Sequence, residues 1–316
     1  MTLKDLGADI AAEVETMLSG DFTITVTQTN TVPHSDDGAI TFPNLDSKEQ
    51  ACKIVETCVL FIDIRRSTEL NLRHRPHTVA KLYSSFVRCM VRCAEQFHGH
   101  VRGIIGDRVM VMFDQNNCFS NAIHTAAAMN SVSQYIINRH FKHGEVECGI
   151  GIDHGRMLAT KTGFRRHGVQ RHNYRSLVWL GRPANVASKL TDIANKKAEQ
   201  QWRTKACVAY DYGSGWQWRD ESLDQFVSNL RPQYVPSRVE HTSPWFGSFF
   251  TSSELVTLRP ATPPILMTKT VYDGYRAVYP DSDVIRKGWI QPYAVNVPGY
   301  DDQIYGGNLV YHDLNQ

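Results

Sequence analysis

Residues 3–18 read as an amphipathic helix. Residues 22–45 then alternate. Phe22-Thr-Ile-Thr-Val-Thr27 precedes a polar turn around His34-Ser-Asp-Asp-Gly38, and Ala39-Ile-Thr-Phe42 follows it, which predicts a hairpin arm. The nearly unbroken apolar run Val55-Glu-Thr-Cys-Val-Leu-Phe-Ile-Asp-Ile64 predicts a central strand covered on both faces. A helix is expected over 76–98, opening after Pro76 and closing at Gly99. Val101–Ile105 and Val109–Phe113 form a hairpin turning through Gly106-Asp107. A second long helix occupies about 119–141. Strands at 145–152 and 156–161 follow, joined by Asp153-His-Gly155, then a strand at 177–180 and a helix over 183–198.

This order predicts an α+β fold, a ferredoxin-like sheet with its helices on one face. Residues 200–262 change character, holding four of the six tryptophans among Pro, Ser and Gly, and read as an insertion. The main domain then resumes with a strand and helix over 264–275 and a Gly/Tyr-rich hairpin over 289–312. The domain division is an N-terminal helix and arm at 1–49, then a main domain at 50–316 with the insertion at about 199–262.

Composition narrows the function classes. A formal charge of +2 is too small to imply a nucleic-acid partner. No apolar run approaches the ~20 residues a bilayer span needs, and the first residues lack the pattern of a signal peptide. Seven cysteines are an odd number without a C-x-x-C pair, and most lie in apolar segments, which fits a reducing, cytoplasmic setting.

The informative chemistry is a pair of aspartates in apolar frames. Asp63 ends the central strand and Asp107 sits in the hairpin turn. Buried carboxylates are costly unless a cation neutralises them. Two divalent metal ions bridging to a triphosphate would do so.

Four segments together resemble the class III nucleotide cyclase family, the adenylate and guanylate cyclases. Phe61-Ile-Asp-Ile-Arg-Arg-Ser-Thr68 is similar to its first metal motif, and Gly106-Asp107 before Val109-Met-Val-Met-Phe113 to its second. Cys148-Gly-Ile-Gly-Ile-Asp-His-Gly155 resembles its central glycine-bearing hairpin. Leu180-Gly-Arg-Pro-Ala-Asn-Val-Ala-Ser-Lys-Leu190 resembles its Asn/Arg-bearing helix. The resemblance covers roughly 55–198 and resumes at 264–312.

It implies that Asp63, Asp107 and the Ile64 carbonyl hold two divalent ions, Mn²⁺ or Mg²⁺. Phe61 shares a strand face with Asp63, and Ser67 and Thr68 can offer hydroxyls and amides to the triphosphate. By the same resemblance Asn185 orients the ribose. Lys189 stands where the family has an arginine stabilising charge on the α-phosphate, and a lysine is a point charge rather than a fork. The family site forms across a dimer interface, which implies a homodimer with composite sites.

The departures concern the base. Adenylate cyclases of the family read the purine with Lys and Asp, guanylate cyclases with Glu and Cys. Here those positions are Gly103 and Val178. With the N-terminal arm and the Trp-rich insertion, these absences most resemble the pyrimidine cyclases of Pycsar anti-phage defence. Their product, cyclic UMP or cyclic CMP, activates a separate effector. UTP is taken ahead of CTP, although no residue separates them. Alternatives are a cytidylate cyclase, an adenylate cyclase with atypical base recognition and an inactive nucleotide sensor. Tyr174 is a candidate for stacking on the base. The basic loop with Lys161, Arg165, Arg166, Arg171 and Arg175 is either a pyrophosphate contact or a solvated loop.

Overall fold

The computed structural model describes residues 2–162, 176–233 and 238–315. Helix α1 (Leu3–Leu18) opens with a capping box, in which Thr2 and Asp5 exchange side-chain and backbone hydrogen bonds. Strand β1 (Thr23–Thr29) follows, then the long strand β2 (Glu49–Ile64). The expected hairpin arm is not formed. β1 pairs with the first half of β2 in parallel, from Thr23 opposite Glu49 to Thr29 opposite Val55. Residues 39–42 are connecting chain rather than a strand, because Ile40 is pulled into the interior and Thr41 bonds to Ala51 through backbone and hydroxyl.

After β2 come α2 (Ser67–Arg73), α3 (Pro76–Gln96), β3 (Gly99–Ile105) and β4 (Arg108–Phe113). The second long helix begins as α4 (Cys118–Ser131), widens to a π-helical segment (Val132–Ile137) and ends in the short α5 (Asn138–His140). Next is β5 (Cys148–Thr162), a single strand where two had been expected. It runs antiparallel to β2 in unbroken register from Lys53–Ala159 to Ile64–Cys148, so Asp153-His-Gly155 continues the ladder rather than turning it. Strand β6 (Ser176–Leu180) pairs with the far end of β5. Helix α6 (Arg182–Ile193) stops five residues short of the expected end, its last turn capped by Ala194 in extended geometry.

The chain divides into two compact units, the second spanning Lys197–Ala261. That unit holds β7 (Glu199–Asp211), β8 (Trp216–Ser222), α7 (Leu223–Ser228), β9 (Leu230–Pro232), β10 (Val239–His241) and β11 (Phe246–Arg259). Its three-stranded sheet is ordered β11-β7-β8. Ala206, Val208, Tyr210 and Phe226 make its small core, while Trp202, Trp216, Trp218 and Trp245 stay exposed. The first unit is completed by β12 (Ile265–Thr268), α8 (Lys269–Val278), α9 (Asp283–Arg286), β13 (Gln291–Tyr293) and β14 (Ile304–Gly307).

The main sheet is ordered β13-β14-β12-β5-β2-β4-β3, with β1 and β6 attached to β2 and β5. Alternation along β2 sorts its two faces. Cys58, Leu60, Ile62 and Ile64 enter the large core beneath α3, α4 and α8. Val55, Val59 and Phe61 face the other way, toward Met110, Met157 and Ala187. Helix α6 therefore covers the face opposite the other long helices, correcting the one-face expectation. A glycine makes this possible. A Cβ on Gly151 would lie 2.2 Å from the Ala187 carbonyl oxygen, so only glycine lets α6 rest on β5.

Candidate functional site: a carboxylate pair at a strand end

Asp63 and Asp107 are brought together by the sheet. β2 pairs antiparallel with β4 through Ile62 and Val109, which carries the β3–β4 turn up beside the end of β2. Gly106 makes that turn with φ +63°, a conformation glycine adopts without strain. Asp107 follows it, and its Oδ2 accepts a hydrogen bond from the Ile64 amide at 3.1 Å. Asp63, at the end of β2, lies close enough for its charge to be felt by Asp107. Burial, reinforced by the Asp63 charge, raises the Asp107 carboxyl to about 6. A carboxyl pushed up in this way marks a place where positive charge is favoured.

Oxygen donors of this kind suit Mg²⁺ or Mn²⁺, whose charge would offset the cost of holding Asp107 ionised beside Asp63. Among the described residues no group of three or more His, Cys, Asp or Glu could hold a metal ion. A metal here would complete its shell with phosphate oxygens and water, as Mg²⁺ commonly does.

A residue the sequence reading passed over dominates the local electrostatics. Arg108, directly after Asp107, places Nη2 at 2.7 Å from Asp63 Oδ2. The same guanidinium donates to Ser188 Oγ at 2.8 Å and pairs with the Asp192 carboxylate, both on α6. Arg65 makes a second tie to that helix. Its Nη2 donates to the Thr191 carbonyl at 2.7 Å and its Nη1 to the Asp192 carbonyl at 3.1 Å, where the helix C-terminus favours a cation. Burial lowers the Arg65 pKa. Gly149 leaves the space it occupies, since a Cβ there would lie 2.6 Å from the guanidinium. Tyr83 of α3 was also passed over. Its phenol is pushed up by burial and then by the nearby Asp107 charge. A cation following the second aspartate was the available signal for Arg108; Tyr83 gave none.

The other expected residues fall in several places. Phe61 is half-buried on the α6 face of β2, the face it shares with Asp63 by alternation. Ser67 and Thr68 open α2, behind Arg66, which sits at φ 55° and pairs with Glu147 at 2.8 Å. Asn185 and Lys189 lie exposed on α6. Asn185 makes no side-chain hydrogen bond among the described residues, and Lys189 Nζ donates to the Pro298 carbonyl at 2.7 Å. Asn185 lies one turn before Ser188 and two turns before Asp192, the two α6 residues that Arg108 contacts. Within one chain the two aspartates meet, and neither Asn185 nor Lys189 makes a hydrogen bond or ion pair with them among the described residues. Lys161 donates to the Asp37 carbonyl at 2.7 Å rather than facing the carboxylates. Tyr174, Arg165, Arg166, Arg171 and Arg175 lie outside the described residues. No helix of the described residues is long and apolar enough to cross a membrane.

Residues 49–201 match the adenylate and guanylate cyclase catalytic domain family, from the first residue of β2 to just beyond α6. The chain is 27% identical over 176 residues to a uridylate cyclase of Burkholderia cepacia, covering 54% of this chain and 71% of that protein. It is 30% identical over 182 residues to a uridylate cyclase of Gulbenkiania mobilis, covering 54% and 65%. Among solved structures, the adenylyl cyclase CyaB of P. aeruginosa aligns with TM-score 0.47 and 16% identity, over 80% of this chain and 94% of that one.

Proposed function

Because residues 49–201 are a class III nucleotide cyclase domain, we propose that the protein converts UTP to 3′,5′-cyclic UMP and pyrophosphate. The observation that carries this reading is the convergence of Asp63 and Asp107 at the meeting of a strand end and a hairpin turn, where burial and the Asp63 charge push the Asp107 carboxyl up. In the reaction the ribose 3′-oxygen attacks the α-phosphorus, the bond to the β-phosphate oxygen breaks, and pyrophosphate departs with its electrons. Two divalent ions, Mg²⁺ or Mn²⁺, held by Asp63, Asp107 and the Ile64 carbonyl, would lower the pKa of the attacking hydroxyl and neutralise the phosphates.

The remaining contributions come from the chain. Asp63 and Asp107 supply carboxylate oxygens, with the Ile64 carbonyl beside them. Arg108 pairs with Asp63 and would have to give up that carboxylate, in whole or part, for it to hold a cation. Asn185 orients the ribose, and Lys189 leaves the Pro298 carbonyl to place its charge on the α-phosphate. Neither hydrogen-bonds to the aspartates of its own chain among the described residues, and, as the family resemblance implies, they act on the site of a second copy. The functional unit is a two-fold homodimer with two composite sites. Phe61, Ser67 and Thr68 line the substrate side, and Tyr174 stacks on the base.

Gly103 and Val178 support a pyrimidine substrate, since neither side chain can form a purine-specifying hydrogen bond. Two relatives named uridylate cyclase support UTP in particular. On this reading the cyclic nucleotide is a cytoplasmic second messenger of anti-phage defence, acting on a separate effector. Asp63→Ala and Asp107→Ala, assayed separately for cyclic product, test the site. Loss of product in each supports an enzyme, and full turnover by either variant refutes the assignment.

A further inference from the structure

Helix α1 has no buried residue along its length. Leu3, Ile10, Val14 and Met17 are 42–87% exposed. At the helical period they form one stripe with Leu6. Asp5, Asp9 and Glu13 recur every four residues and make an acidic row beside it. A helix this short is marginal in water without a surface to cover its apolar side.

A complementary surface lies on the α3/α4 side of the main sheet. A cavity of about 610 Å³ opens between α3 and the π-helical segment. Leu82, Ile136 and Phe141 make its apolar floor. Its rim carries Lys81, Lys142, His77, His140 and His143, and no acidic side chain lines it. None of these five is in an ion pair among the described residues. A second depression, about 560 Å³, shares Cys89 and Ile136 with the first and continues along α3 to Gln96. The groove thus follows α3 from His77 to Gln96, roughly 28 Å, and α1 is ~24 Å long.

We propose that α1 of a second copy of this chain lies in the α3 groove. Its apolar stripe rests on Leu82, Ile136 and Phe141, and its Asp5–Asp9–Glu13 row faces Lys81 and Lys142. The occupant is a second copy because α1 stands clear of its own chain, with no residue buried. A two-fold pair would fill both grooves reciprocally. Charge complementarity sets the direction: an acidic helix meets the basic rim of the first cavity, Asp313 lining only the second, whereas two α1 helices packed on each other would oppose like charges.

The test uses the full chain with photoreactive benzoylphenylalanine in place of Ile10, mixing ¹⁴N and ¹⁵N copies before irradiation. Mass spectrometry should find light–heavy crosslinks joining position 10 to residues 77–89 or 136–143. Lys81→Glu with Lys142→Glu, both exposed positions, should lower their yield about tenfold. Asp9→Lys with Glu13→Lys in the photoreactive copy should restore it. Crosslinks confined to one copy, joined to other segments or indifferent to the charge reversal would overturn the proposal. The readout does not depend on which nucleotide is turned over, so it stands or falls separately from the substrate assignment.

Discussion

Arg108 lies 2.7 Å from Asp63, and both side chains are largely withdrawn from water, 26% and 19% exposed. Through the same guanidinium the hairpin that carries Asp107 is tied to Ser188 and Asp192 of α6. One cation therefore neutralises one carboxylate of the pair and links two elements of the candidate site. Arg108→Ala should destabilise the metal-free protein by about 1–3 kcal/mol, because it leaves two neighbouring carboxylates without their cation. Urea denaturation in EDTA measures this, and saturating Mn²⁺ should recover part of the loss. An unchanged midpoint in EDTA would show that the pair contributes nothing.

Asp107 gives the site a pH dependence. Its carboxyl is raised from 3.8 to about 6, chiefly by burial and then by Asp63. The folded state thus holds a proton that the unfolded chain releases. That contribution is complete below about pH 4 and is lost as pH rises through 6. A metal must displace the same proton, so Mn²⁺ affinity should fall about tenfold for each pH unit below 6. Calorimetric titration at pH 5, 6 and 7 should show this trend. Asp107→Asn should flatten the affinity profile and bind metal weakly throughout.

Gly151 sets the height of α6 above the sheet. A methyl group there would collide with the Ala187 carbonyl and the Thr191 amide, neither of which can move without the helix. Gly151→Ala should cost about 1–3 kcal/mol of stability. It should also loosen the Arg65 and Arg108 ties, giving a larger loss of turnover than of fold. Thermal melting beside initial rates separates the two. Gly103→Ala offers a control for the melting temperature alone, because its nearest neighbour would be Met110 Cβ at an ordinary 3.5 Å.

Composite sites predict complementation. Asp63→Asn and Asn185→Ala should each be inactive alone. Mixed and re-equilibrated in equal amounts, half of the dimers are heterodimers and each carries one intact site. Activity should then reach about a quarter of the wild-type value. No recovery would mean that each chain works with its own Asn185.

Much of the site was legible in the sequence because strand alternation and turn chemistry are local. Asp63 at the end of an apolar run, and Asp107 after a glycine able to turn, could be paired before any coordinates. What stayed hidden depends on long-range register. The single strand β5 looked like two because Asp153 and Gly155 read as a turn, yet twelve consecutive pairings with β2 hold it straight. The arm at 22–45 looked like a hairpin because alternation reveals a strand and not its partner, and β1 paired with β2 instead. Arg108 was hidden for a related reason. Its three acceptors are 45, 80 and 84 residues away in sequence.

The central claim is that the carboxylate pair cyclises a pyrimidine nucleotide, and one competition assay tests it most directly. The full-length protein is given equimolar ATP, GTP, CTP and UTP with Mn²⁺, and the products are separated by chromatography. Conversion of UTP to a product that coelutes with 3′,5′-cyclic UMP, abolished in Asp63→Ala, is the predicted result. Conversion of ATP or GTP with UTP left intact would contradict it.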